Sequence, residues 1–183
     1  MDFERVLKSL LTAFERNQIR YAAIGGFGLG LLGFKRATMD LDFLIHRDDL
    51  GRLDDVLTEL GYRRFVRTEN ASHYRHTNGA WGALDFIHGF RGPSVGMLDR
   101  VKQVPFLEGC PPIKVVQPED LIGFKVQAIA NQPSRRTQDH ADIARLIQHY
   151  QGKLDWDRIQ EYYELFEMGE EGRKLQERFG HAE

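Results

Sequence analysis

Several features that would each indicate a particular class of protein are missing from this sequence. It contains a single cysteine, Cys110, in 183 residues, so no disulfide can form within the chain and a disulfide-stabilised scaffold is excluded. Its longest apolar-rich stretch, residues 21–34, is broken by glycines and is shorter than the roughly 20 residues that cross a bilayer. The formal net charge is only −2, which argues against a generic nucleic-acid coat but leaves a local basic patch open.

Targeting signals and repeats are missing as well. The first residues, MDFERVLKSLL, place acidic residues among the apolar ones and lack the charge order of a signal peptide. We therefore expect a cytoplasmic protein with no membrane partner. Because 42% of the residues are hydrophobic and the chain has no low-complexity linker, we expect a folded core and not a disordered chain.

The spacing of the apolar residues in the first two thirds of the chain predicts a mixed α/β core. Residues 3–14 and 50–60 carry apolar side chains at helical intervals, which is typical of helices that bury one face. The pattern of strands recurs in five short runs, at 21–24, 39–45, 62–67, 83–87 and 113–116. We therefore predict a mixed central sheet flanked by helices.

The last third of the sequence reads as helices throughout. Pro118 is in a favoured first-turn position, and two helices are predicted over 118–131 and 137–150. Asp155 is predicted to cap a third helix. We expect two segments: an α/β catalytic core, residues 1–115, and a C-terminal helical subdomain that packs on it, residues 116–183.

The dipeptide Asn-Gly at 78–79 is a strong signal for a two-residue hairpin turn between two strands. Such a turn fixes which residues of the two strands face each other. It predicts that Tyr74 lies opposite Ala83 and that Ser72 lies opposite Asp85.

Two acidic residues in one strand are the most informative feature of the sequence. Asp40 and Asp42 are two positions apart, so both carboxylates project from the same face, whereas Leu41, Phe43 and Ile45 point into the core. Two neighbouring carboxylates repel each other unless a cation lies between them. Hard divalent ions, Mg²⁺ above all, prefer such oxygen ligands together with substrate phosphates.

A glycine turn and a third carboxylate extend this pattern. Gly25 and Gly26 end one strand and begin a helix, so a phosphate can approach backbone N–H groups that no side chain covers. Asp85 alternates with apolar residues in the strand 83–87. It is a candidate to complete a metal site and to accept a proton from an attacking hydroxyl.

This arrangement resembles the signature of the DNA polymerase beta-like nucleotidyltransferase superfamily. The resemblance is greatest to its small branch of minimal nucleotidyltransferases, antibiotic nucleotidyltransferases and the toxin-type enzymes of abortive-infection systems. It is carried by Gly25, Gly26, Arg36, Thr38, Asp40 and Asp42. Gly26 stands where a serine is commoner in the family.

The resemblance implies a nucleotidyltransferase fold and an enzyme that moves a nucleoside monophosphate from an NTP such as ATP to a hydroxyl acceptor, with release of pyrophosphate. The implied cofactor is Mg²⁺, as two ions, with Mn²⁺ as the alternative. The implied catalytic and metal-binding residues are Asp40, Asp42 and Asp85. The implied nucleotide-binding residues are Gly25, Gly26, Arg36 and Thr38, although the last two can equally support only the geometry of the turn.

Charged residues on the predicted C-terminal helices form a second group. Helical spacing places Asp139 and Arg136 in line with an apolar face, and Lys125 shares a face with apolar neighbours. Because buried charges are rare unless they are paired or functional, we expect a contact between Lys125 and Asp139. Lys125 or Arg136 would then reach triphosphate oxygens. The alternative is an ion pair with a purely structural role.

Two other motifs carry little weight. The run from Gly28 to Gly33 matches G-x-G-x-x-G by letter, but it begins too late after the strand for a dinucleotide site. His73 and His76 cannot share a strand face at a spacing of three, so the histidines do not form a metal set.

The sequence leaves three alternatives for the acceptor. They are RNA such as a tRNA end, a small hydroxylated molecule such as an antibiotic, and a protein side chain. Arginines that could line an acceptor groove, or simply form a solvated face, are Arg63, Arg64, Arg67, Arg75, Arg135 and Arg136. The alternative function is a catalytically silent fold that binds nucleotides or acts as a toxin–antitoxin-type interaction module. An antitoxin or a second copy of the chain would then be the partner.

Overall fold

The computed structural model describes residues 2–35, 40–106 and 108–180. The predicted nucleotide-binding residues Arg36 and Thr38 lie outside these ranges. The chain divides into two units, Met1–Val116 and Gln117–Glu183, and each is described by itself below.

The first unit contains a seven-stranded mixed sheet and four helices within its described residues. The helices are α1 (Phe3–Arg16), α2 (Gly25–Leu31), α3 (Leu50–Glu59) and α4 (Gly92–Asp99). The strands are β1 (Tyr21–Ala23), β2 (Leu41–His46), β3 (Tyr62–Arg67), β4 (Ala71–His76), β5 (Ala83–Gly89), β6 (Lys102–Val104) and β7 (Ile113–Val115). Their order across the sheet is β3-β4-β5-β2-β1-β7-β6. The pairs β2–β5 and β1–β7 are parallel and the others are antiparallel.

The face of this sheet that α1 covers carries a large part of the hydrophobic core. The apolar stripe of α1 is fully buried there, because its residues recur at helical intervals and meet the apolar side chains of the strands. The Phe14 ring packs edge-on against Phe43 at a centroid distance of 5.9 Å. Phe43 of β2 in turn stacks on Phe86 of β5 at 5.6 Å. Every second residue of β2 and β5 is thereby anchored on the buried side of the sheet.

The connection between β4 and β5 differs from the predicted two-residue turn, and that prediction is wrong. Residues 77–82 join the strands through a 3₁₀ turn at Gly79–Trp81, and the Asn78 side chain accepts a hydrogen bond of 2.9 Å from the N–H of Ala80. The longer connection shifts the pairing by one residue. Asp85 therefore lies opposite His73 and not Ser72.

The second unit consists of helices that follow the sequence prediction closely. They are α5 (Pro118–Asn131), α6 (Arg136–His149), α7 (Trp156–Leu165) and α8 (Gly169–Phe179). Asp155 caps α7 by accepting a hydrogen bond of 3.1 Å from the N–H of Arg158, as predicted. Gly123 lets α5 and α7 approach closely, because a Cβ there would lie 2.7 Å from Cδ2 of the Tyr162 ring. Among the described residues, no helix has the length and apolar character that spanning a membrane would require.

A buried carboxylate joins the start of β1 to the end of β2. Asp49 is completely buried and accepts hydrogen bonds from the backbone N–H, Nε and Nη2 of Arg20, at 2.8, 2.9 and 2.8 Å. Arg52 of α3 also donates to it. Burial raises the pKa of Asp49, but the bonds from the Arg20 side chain and backbone and from Arg52 outweigh it and lower the pKa to about 2.

This network predicts a specific pH dependence of stability. A carboxylate with a lowered pKa stabilises the fold fully above its unfolded pKa of about 3.8, and the contribution is lost as the pH falls through about 2. At neutral pH we expect Asp49→Asn to destabilise the protein by on the order of 2 kcal/mol. The difference from wild type should shrink between pH 4 and pH 2 in urea unfolding. The exposed neighbour Asp48 serves as control, and an equal pH slope in wild type and Asp49→Asn would contradict the prediction.

Candidate active site

Two of the predicted site residues meet at the beginning of two neighbouring parallel strands. Asp42 in β2 and Asp85 in β5 are register partners, so their Cα atoms are about 4.8 Å apart across the sheet and their side chains leave the same face. Asp40 immediately precedes β2 and is exposed. The pairing thus joins carboxylates that are far apart in the sequence.

The glycine turn lies directly against one of these carboxylates. Gly25 begins α2 with a φ of +60°, and a Cβ there would overlap the Asp42 carboxylate, with Asp42 Cγ only 2.7 Å away. The N–H of the preceding Ile24 donates a 3.0 Å hydrogen bond to the carbonyl oxygen of Asp42. A residue with a side chain would fit neither this backbone conformation nor this space. Gly25 therefore fixes the close approach between the turn and the first strand of the site.

A histidine that the sequence reasoning missed completes the row of side chains. His73 of β4 is the register partner of Asp85, and its Nδ1 lies 2.6 Å from Asp85 Oδ1. Both side chains are partly exposed, at 46% and 38%. The predicted register placed Ser72 in this position, so only the correct length of the β4–β5 connection could have identified His73.

The donor set of this row fits a hard divalent cation. The side chains of Asp40, Asp42 and Asp85 offer carboxylate oxygens, which Mg²⁺ prefers, and Mg²⁺ in enzymes is usually held by one or two carboxylates together with substrate phosphates. In residues 2–35, 40–106 and 108–180, no three His, Cys, Asp or Glu side chains are arranged as a complete metal site. Asp42 and Asp85, as register partners, fit a site in which substrate oxygens supply further ligands.

The predicted contact of Lys125 is present in the helical unit. Its Nζ donates hydrogen bonds of 2.7 Å to Asp139 Oδ1 and of 2.7 Å to Asp142 Oδ2. All three residues are buried, so the ammonium group balances two carboxylates that would otherwise be costly to bury. Arg136 differs from the expectation: it is exposed and pairs with Glu171 of α8. As the first residue of α6, it precedes the buried stretch of that helix.

Comparisons with known proteins give the family of this chain and solved structures with a similar fold. The sequence matches the model of a family described as uncharacterised nucleotidyltransferase over residues 2–170. The solution structure of the antibiotic-resistance factor ANT(2″)-Ia gives a TM-score of 0.68 at 14% identity, over 97% of this chain and 99% of that one. Its complex with adenylyl-2″-tobramycin gives 0.65 at 15% identity, over 90% and 95%.

Another similar structure is the lincomycin-bound lincosamide antibiotic adenylyltransferase LnuA, with a TM-score of 0.53 at 20% identity, over 78% of this chain and 95% of that one. At such identities the likeness concerns the fold, and it confirms the predicted mixed α/β nucleotidyltransferase fold. No curated protein sequence matches the chain.

The contact between the glycine turn and Asp42 predicts an asymmetry between two glycines of one helix. Gly25→Ala should destabilise the protein, since an L-residue in the left-handed region costs roughly 1–2 kcal/mol before the overlap with Asp42 is added. Gly30→Ala is the matched control, because nothing lies within 4 Å of a Cβ at Gly30 and alanine favours the helix by roughly 0.5–1 kcal/mol. Urea unfolding measures both variants, and equal stabilities would contradict the predicted contact.

Proposed function

The chain belongs to the family of uncharacterised nucleotidyltransferases, and from that premise we propose that it transfers a nucleoside monophosphate from an NTP to a hydroxyl acceptor. The observation that carries the proposal is the row of Asp42 and Asp85 on paired parallel strands, with the Gly25 turn against Asp42. This row offers a place for a cation, a triphosphate and a proton acceptor on one face of the sheet.

The proposed reaction is an exchange of bonds at the α-phosphorus of the NTP. The acceptor oxygen forms a bond to this phosphorus, the bond from the phosphorus to the bridging oxygen breaks, and pyrophosphate leaves. The hydroxyl proton passes to the carboxylate of Asp85. Catalysis of this kind consists mainly of positioning and electrostatic stabilisation.

The residues that would hold Mg²⁺ are Asp40, Asp42 and Asp85. When bound, the ion supplies positive charge to the triphosphate oxygens and the attacking oxygen. Gly25 and Gly26 bind the phosphates through N–H groups at the start of α2, which no side chain of these two residues covers. His73 holds the carboxylate of Asp85 in one orientation through their 2.6 Å contact.

Further nucleotide contacts complete the proposal. Arg36 and Thr38 would bind the nucleotide between the glycine turn and the two aspartates. Lys125 is proposed to contact triphosphate oxygens in addition to its bonds to Asp139 and Asp142. Those bonds hold α5 to α6. Arg136 and Asp139 would have supporting roles.

The acceptor classes are small hydroxylated molecules, nucleic acid and protein side chains. The first is favoured by the fold neighbours, since ANT(2″)-Ia is seen with adenylyl-2″-tobramycin and LnuA with lincomycin. The presence of three carboxylates and a partnered His73 weighs against a catalytically silent fold.

The acids provide the central test. We expect Asp42→Asn and Asp85→Asn each to reduce transfer of labelled NMP at least 100-fold, since loss of a general base alone costs roughly 10²–10⁴-fold. Pyrophosphate release and label transfer are measured with each NTP on RNA, a panel of hydroxylated antibiotics and the protein itself. EDTA should abolish transfer, and Mg²⁺ or Mn²⁺ should restore it. Asp48→Asn is the control, and transfer that survives in the Asp42/Asp85 double variant would overturn the mechanism.

His73 provides a separate test of the row. We expect His73→Ala to lower kcat roughly 10- to 100-fold, since a hydrogen bond to a charged group contributes about 1.5–3 kcal/mol. The KM for the NTP should change little, because His73 contacts the carboxylate and not the glycine turn. His73→Asn retains a polar atom near the Nδ1 position and should recover part of kcat. Mn²⁺ affinity of the free protein is the second readout, and an unchanged kcat in His73→Ala would exclude the positioning role.

A further inference from the structure

The hairpin of β3 and β4 continues the candidate active site toward the edge of the sheet. Its register pairs Arg63 with Arg75 and Val66 with His73, with an irregularity between Arg64 and Val66. Directly paired residues leave the same face of the sheet. Val66 therefore lies on the face of His73, and Arg75, two residues from His73 along β4, shares that face with Arg63.

The other arginines of β3 leave the opposite face. Arg64 and Arg67 each donate a hydrogen bond of 2.8 Å to Asp54 Oδ2 on α3. The irregularity adds one residue between them, so both reach α3 although three positions separate them. β3 thus divides its arginines: Arg64 and Arg67 share the carboxylate of Asp54 on the side of α3, and Arg63 lies on the side of the carboxylates.

An exposed cation and an exposed ring meet on that second side. The guanidinium carbon of Arg75 lies 4.2 Å from the centroid of the Phe65 ring, which is a close cation–π contact. Phe65 is 63% exposed and Val66 is 39% exposed. We call Arg63, Phe65, Val66 and Arg75 the arginine–phenylalanine strip.

The charge of the strip is not balanced by neighbours. The hairpin from residue 62 to residue 76 contains four arginines and one acid, Glu69, and Glu69 pairs with Arg47 at 3.2 Å. Among the described residues, neither Arg63 nor Arg75 forms an ion pair. A chain with a net charge of −2 therefore presents a local positive surface beside its carboxylates.

We propose that this strip binds the end of a single-stranded nucleic acid and that the terminal hydroxyl of that strand is the acceptor, an inference that rests on the proposed function. Phosphates pair with unbalanced guanidinium groups, and bases stack on an exposed ring and on the plane of an arginine. A cationic antibiotic would instead be repelled by Arg63 and Arg75. The charge and the ring together select the anionic, planar acceptor.

The distances also suit a strand end. β3, which carries Phe65, is separated from β5, which carries Asp85, by two strand spacings, or about 10 Å. Stacked nucleotides rise about 3.4 Å each, so about three of them span the gap. With its terminal hydroxyl at the carboxylate of Asp85, a strand would place its third or fourth base on Phe65.

Binding is tested first without turnover. Asp42→Asn protein is titrated into fluorescent RNA and DNA oligonucleotides of mixed sequence with a free 3′-hydroxyl, and anisotropy is recorded at several salt concentrations. We expect Phe65→Ala to weaken binding roughly 5- to 100-fold, the range for loss of one stacked base. Arg63→Gln and Arg75→Gln should each lower the salt slope by about 0.7.

Matched controls come from the same unit. Arg64→Gln removes the same charge from the other face of β3, and Phe106→Ala removes a ring that is 44% exposed at the other end of the sheet, beyond β6. Neither should change binding. Binding that is absent in wild type at low salt, or weakened equally by the controls, overturns the proposal.

Turnover separates this inference from the proposed function. In a chain whose active site residues are wild type, Phe65→Ala should raise the KM for oligonucleotides of at least four nucleotides. The KM for dinucleotide acceptors and the thermal shift with Mg²⁺ and NTP should stay unchanged. If wild type and Phe65→Ala transfer NMP equally to an antibiotic and neither transfers it to oligonucleotides, the proposed nucleic-acid acceptor is wrong. The proposed transfer of NMP to a hydroxyl would still hold. Failure of the function itself would show as no Mg²⁺-dependent transfer to any acceptor.

Discussion

The parallel pairing of β2 with β5 is the constraint on which the rest of the site depends. In one register, Asp42 and Asp85 are neighbours on the open face while Phe43 and Phe86 stack in the core. Because side chains alternate with a period of two, a slip of one residue in either strand would bury a carboxylate and expose a phenylalanine. The cost of burying an unpaired charge far exceeds the repulsion between two half-exposed carboxylates. The hydrophobic core therefore holds the two acids together.

Both ends of β2 are fixed by contacts of different chemistry. At its beginning, the absent side chain of Gly25 lets the backbone touch the Asp42 carboxylate. At its end, the buried Asp49 accepts hydrogen bonds from Arg20 beside β1 and from Arg52. The first contact depends on a missing side chain, and the second depends on hydrogen bonds to a buried charge. Such a rigid frame suits a reaction that depends on positioning.

Sequence patterns predicted most of the helices and strands well, since these depend on periodicity within one segment. The bounds of α5, the cap of α7 at Asp155 and the contact between Lys125 and Asp139 all follow from helical spacing and capping rules. The register of β4 was predicted wrongly, and Arg136 is exposed although helical spacing places it in line with the apolar face of α6. The two-residue turn rule failed because the loop at 77–82 is longer than the Asn-Gly signal implies. Helical spacing failed for Arg136 because this residue precedes the buried part of its helix.

By itself the sequence determined that a glycine turn comes before Asp40 and Asp42 and that Asp42 points away from the buried Leu41 and Phe43, because alternation along one strand needs no information from elsewhere. Only the tertiary structure decided that Asp85 is the neighbour of Asp42 and that His73 is the neighbour of Asp85. It also decided which arginines of β3 face α3 and which face the carboxylates, since one irregularity in the strand reverses the alternation. Strand register is a property of pairs of segments, and no single segment encodes it.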